Sequence, residues 1–95
     1  MTKRQLNEFV VWMKKHDSLQ KRIGPFDIQR RYESGRGINN KILLHNIQVF
    51  VDIPVEVERT ELDGQWLRVS KIYEGLEFHL LLTEQEQQVY QELTR

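Results

Sequence analysis

The stretch Ile47–Val57, IQVFVDIPVEV, decides how this chain reads. Apolar residues hold every odd position: Ile47, Val49, Val51, Ile53, Val55 and Val57. The even positions carry Gln48, Phe50, Asp52, Pro54 and Glu56. Period-two alternation over this length predicts a half-buried strand with the odd positions inward. A slip of one residue would bury Asp52, Glu56 and Glu58, so the register is strongly specified. Pro54 cannot donate to a ladder, which makes the strand an edge, or bends or bulges it, at that point.

Downstream, TELDGQW supplies a hairpin turn centred on Asp63-Gly64, a pair suited to positive φ. A second strand follows from about Trp66 to Ile72, then a turn at Glu74-Gly75. In the third strand Leu76, Phe78, Leu80 and Leu82 alternate with Glu77, His79 and Leu81. Thr83 and Glu86 form a capping box for a C-terminal helix, whose short apolar face is Val89, Tyr90 and Leu93.

Upstream, Thr2 and Gln5 make another capping box. Leu6, Phe9, Val10 and Met13 then follow at i, i+3, i+4 and i+7, an apolar stripe with Trp12 at its flank. This predicts a helix over about residues 3–16, with Lys14, Lys15 and His16 suiting its C-terminal dipole. Asp17 or Ser18 can cap a further short helix to Ile23, which Gly24-Pro25 stops. Pro25 can open another helix, with Phe26, Arg30 and Glu33 on one face and Ile28 and Tyr32 on another. SGRG, residues 34–37, breaks the chain. The expected fold is therefore α+β: N-terminal helix, basic connector with short helices, three-stranded antiparallel meander, C-terminal helix. A chain of 95 residues reads as one domain, 1–95.

The chain has 39% apolar and 29% charged residues, polar but with enough Ile, Leu, Val and Phe to fold. It has no cysteine, which removes disulfides and thiolate metal sites. The N-terminal MTKRQLNEF lacks the apolar core of a signal peptide, and no apolar run reaches the roughly 20 residues of a membrane span. The expectation is an intracellular, cytoplasmic protein.

Formal net charge is zero, from 14 basic and 14 acidic residues. Yet Met1–His45 holds ten basic residues against four acidic, and Asn46–Arg95 reverses this. Charge asymmetry between halves points to an anionic partner or to self-complementary association. It cancels if folding interleaves the halves.

Chemical motifs are sparse. His16, His45 and His79 have no metal-ligand spacing, so neither a metal nor a cofactor is expected, and His79 reads as a surface residue on the polar face of its strand. Asp52, Glu56 and Glu58 on one strand face read as a charge-guarded edge. No serine sits in a nucleophile elbow, and GRG is too short for a phosphate loop.

What remains is QRRYESGRGINN, Gln29–Asn40. Arginine forks suit phosphate, Tyr32 can stack on a base, and the glycines permit close backbone approach. Candidate nucleic-acid contacts are Lys21, Arg22, Arg30, Arg31, Arg36 and Lys41. Helices at 3–16, 25–33 and 38–46 ahead of a hairpin would give winged-helix order, with Ile38 and Ile42, and Leu43 beside them, on the buried side of a recognition helix. Asn39, Asn40 and Lys41 would then face a groove. A polar connector with solvated charges explains the same composition. The sequence thus points first to a small binding or regulatory domain without catalytic activity, acting on a protein partner or on itself. Its second reading is a module for DNA or RNA that uses residues 14–41.

Overall fold

The structure, a computed structural model, describes residues 1–33 and 37–95, with the side chains of 31–33 and 37–39 left aside. Its elements are α1 (Lys3–Ile23), β1 (Phe26–Glu33), β2 (Gly37–Leu44), α2 (Ile47–Val51), β3 (Arg59–Asp63), β4 (Trp66–Tyr73), β5 (Leu76–Leu82) and α3 (Glu84–Leu93). The strands form one five-stranded mixed sheet in the order β1-β2-β5-β4-β3. Only the β2–β5 pair is parallel. The fold is α+β with helices at both ends, as expected, but the sheet is larger than a meander.

The connector is where the expectation fails. α1 does not stop at residue 16 but runs unbroken to Ile23, where Gly24, at φ 86°, caps it and donates to Gln20 O at 2.9 Å. The positive φ explains the glycine. Pro25 opens no helix: the hairpin β1–β2 follows, with Phe26 opposite Leu44 and Ile28 opposite Ile42. The reason is legible in retrospect. An i, i+4 pair such as Ile28 and Tyr32 fits period two as well as period 3.6, and Phe26, Ile28, Ile42 and Leu44 all fall on even positions, one face of a ribbon. The winged-helix order is excluded with it, because residues 26–33 and 37–44 are strands. SGRG falls largely outside the described residues.

The opening stretch is also not a strand. Asn46 caps α2, its Oδ1 accepting from Val49 N at 3.2 Å. Val55 N then bonds Ile53 O at 2.8 Å, a three-residue turn about Pro54. The helical turn directs Phe50, an even position, into the core with no exposed surface, while Val57 stays 37% exposed. A single inward phenylalanine outweighs the alternating valines. Asp52, Glu56 and Glu58 therefore guard no strand edge: Asp52 caps α2, and Glu58 N bonds Ser70 O at 2.8 Å just ahead of β3.

The meander itself survives with its first strand moved to β3. Gly64, at φ 65°, is the first of two turn residues between Asp63 and Trp66, one position later than expected. Glu74 and Gly75 both have positive φ, 50° and 78°, the pattern of a type I′ hairpin.

One face of the sheet carries the core: Phe26, Leu44, Val69, Leu80 and Leu82, closed by Phe50 from α2. Tyr90 on α3 stacks obliquely at 6.3 Å from the Phe50 ring, and Ile23 of α1 also packs against the cluster. Burial pushes the Tyr90 hydroxyl pKa up. Lys71 is the charged member of this face. Its Nζ donates to Phe50 O at 2.9 Å, Ile53 O at 3.2 Å and Val51 O at 3.3 Å. These carbonyls lie at and just beyond the C-terminal end of α2, where positive charge is favoured.

Candidate interaction site

α1 is the element with least reason to stand alone. At about 3.6 residues per turn, Leu6, Phe9, Met13, His16, Gln20 and Ile23 share one face, flanked by Trp12 and Leu19 on one side and Val10 on the other. The last two turns of this face dock on the sheet. The His16 ring lies 4.7 Å from the Phe26 ring, Gln20 Nε2 donates to Phe26 O at 3.0 Å, and Ile23 joins the core.

Among the described residues the first turns dock on nothing. No residue of α1 is buried, and Phe9 and Trp12 are 54% and 51% exposed, with Leu6, Val10 and Met13 also open. The aromatic rings form a ladder from solvent into the core: Phe9 to Trp12 at 6.2 Å, Trp12 to His16 at 5.5 Å, then Phe26. The helix is nonetheless well made. Its capping box is closed by Thr2 N donating to Gln5 Oε1 at 2.8 Å and Gln5 N to Thr2 Oγ1 at 3.2 Å, and Arg4 stands 3.7 Å from Glu8. Leu6, Phe9, Val10, Trp12 and Met13 together make a contiguous exposed apolar face. The stripe was visible in the sequence; its freedom was not, because periodicity gives the same signal for a packed helix.

The six basic residues expected to act together are dispersed. Lys21 and Arg22 are exposed in the last turn of α1, favourable to its dipole. Arg30, on β1, donates from Nε to Asn40 Oδ1 at 3.0 Å. Lys41, on β2, is aligned with Gln29 on β1 and Glu77 on β5. Arg31 pairs with Asn39 through the backbone, but its side chain, like all of Arg36, lies outside the described residues. The charged halves are partly interleaved, since β2 inserts beside β5. α1 escapes this: it keeps six basic residues against two acidic.

The sheet face opposite the core holds a second polar group. His79 lies there, but it is 6% exposed and not a surface residue. Glu77 Oε1 stands 3.0 Å from its Nε2, off the direction of a well-formed hydrogen bond, and neither ring nitrogen has a partner among the described residues. Burial lowers the His79 pKa, Glu77 opposes this, and Arg68 and Lys41 add to it. Among the described residues no cluster of three or more His, Asp or Glu side chains is placed to hold a metal, and no helix is long and apolar enough to cross a membrane.

No protein family model, curated protein or solved structure matches this chain.

Proposed function

We propose that this chain is an intracellular, non-catalytic interaction module whose recognition element is the free half of α1. One observation carries the reading: a capped helix, continuous with the core, presents Leu6, Phe9, Val10, Trp12 and Met13 to solvent. A helix laying its apolar face on a partner is a recurrent recognition mode, with anchors at i, i+3, i+4 and i+7. Aromatic anchors of this kind tend to dominate interface energy.

The test separates docking from self-packing. Phe9→Asp with Trp12→Asp should leave the melting temperature of the isolated domain within a few degrees, because neither side chain is buried. A steep loss of stability would show that the face serves this domain's own fold, and the reading would fail.

A second reading rests on the ribbon. β2 meets β5 only over Lys41–Leu44, whereas the β1–β2 ladder continues from Arg30–Asn40 out to Glu33–Gly37. A two-stranded ribbon is marginal in water by itself, and one carrying arginines has dimensions that suit a nucleic-acid groove.

A further inference from the structure

We infer that the free half of α1 lies on an anionic lipid surface; the inference rests on the reading of α1 as a docking helix. Every residue from Lys3 to Lys15 is exposed, about 20 Å of helix. The centre of the apolar face falls between Phe9 and Met13, with Leu6 beside it. Val10 and Trp12 bound it on either side, so the arc spans about 160°. An interfacial helix has this make-up: low net hydrophobicity, a wide apolar arc with Trp, Phe and Leu, and Lys and Arg on the remaining surface. Among the described residues no helix can cross a membrane, so the contact is peripheral.

Charge selects the occupant. α1 carries six basic residues against two acidic, and the remainder of the chain eight against twelve. A chain neutral as a whole is thus drawn to a negative surface through this helix and repelled through the rest. Of the two acids, Glu8 stands 3.7 Å from Arg4, and Asp17 lies beyond the free half, 3.9 Å from His16. Lys3 and Lys14 fall just beyond Val10, level with the headgroups when the apolar arc faces the lipid. Arg4 and Lys15 lie further round, past Trp12, and reach phosphate along their stems. Trp12, at the edge of the arc, takes the position where indole favours the boundary between hydrocarbon and headgroups. A second copy of α1 would set basic flanks against basic flanks, and an uncharged lipid surface would leave the cations unpaired. An intracellular module meets an anionic surface at the cytoplasmic leaflet.

The experiment floats the full chain with vesicles of phosphatidylcholine alone and of equal parts phosphatidylcholine and phosphatidylserine, at low and moderate salt. Binding should require phosphatidylserine and weaken as salt rises. Phe9→Asp should abolish it with its melting curve retained. Lys3→Gln with Lys14→Gln should weaken it about thirtyfold, roughly fivefold for each cation lost near the surface. Trp66 is the only other tryptophan, so in a Trp66→Phe background the emission reports Trp12. It should shift to the blue on binding, because the ring leaves water.

No flotation with phosphatidylserine at low salt overturns the inference. It leaves α1 as a docking helix for a protein groove provided Phe9→Asp is stable. Equal flotation with both vesicles removes the role of charge and overturns the inference. Flotation that persists in Phe9→Asp, or a Trp12 emission unmoved on binding, places the contact elsewhere on the molecule and overturns it too. A steep loss of stability in Phe9→Asp removes the docking reading itself.

Discussion

The ammonium of Lys71 stands 2.9 Å from the carbonyl oxygen of Phe50 and 4.7 Å above the centre of the same residue's ring. One lysine thus holds the end of α2 and flanks the most buried aromatic side chain. Burial pulls the Lys71 pKa down, and Asp52 pushes back. Two effects compete: desolvation of the ammonium, and three hydrogen bonds to carbonyls at a helix C-terminus. The bonds should win, because all three carbonyls would otherwise lose a charged donor, although Phe50 O keeps a bond from Ile53 N and Ile53 O one from Val55 N.

Lys71→Met keeps the apolar stem and removes the donor. It should cost about 1.5–3 kcal/mol, the range for hydrogen bonds to a charged group. Urea unfolding measures it. A variant as stable as the wild type, or more so, would mean that desolvation outweighs the bonds, as happens for some buried ion pairs.

His79 predicts a pH dependence. Its folded pKa lies below the unfolded value of 6.5. The unfolded chain therefore binds more protons between those two values, and stability rises with pH across that window. The stabilising contribution is complete above about 6.5 and is lost as pH falls through the folded pKa. Melting temperature should drop between neutral pH and mildly acidic pH, and His79→Gln should flatten the drop. An unchanged slope in His79→Gln would assign the effect to other groups.

Phe50→Ala should cost about 3–5 kcal/mol, the range for truncating a buried aromatic. Val57→Ala should change stability by less than about 0.5 kcal/mol, because Val57 is partly solvated. Equilibrium unfolding separates the two. Comparable losses would restore the strand reading of residues 47–57.

That contrast marks what the sequence could disclose. The capping boxes at Thr2 and Thr83, the Glu74-Gly75 turn and the strands at β4 and β5 were readable, because each rests on local chemistry within a few residues. Phe50 and the β1–β2 hairpin were not. Their conformation is decided by partners distant in the chain: Leu80 and Val69 for Phe50, and β5 for β2. Lys71 left a trace, as the third inward position after Leu67 and Val69, but composition alone files it among surface bases. The free face of α1 left no trace, since exposure is a property of the packed molecule.

The ribbon gives the last prediction. Arg30, Arg31 and Arg36 changed together to Ala should lower affinity for duplex or single-stranded nucleic acid if the hairpin grips phosphate. Each lost phosphate contact should remove roughly 0.7–0.9 from the slope of log affinity against log salt. The fold should persist, because Arg30 is exposed and the sheet's core lies at the other end of the hairpin. Its bond to Asn40 is a surface contact of small worth. Anisotropy titrations at two salt concentrations supply both affinity and slope. α1 provides an internal control: Phe9→Asp should leave this binding untouched, since the two surfaces belong to different elements. A wild type with no affinity for nucleic acid at low salt, where such contacts are strongest, would reduce the ribbon to a polar hairpin and leave α1 as the functional surface.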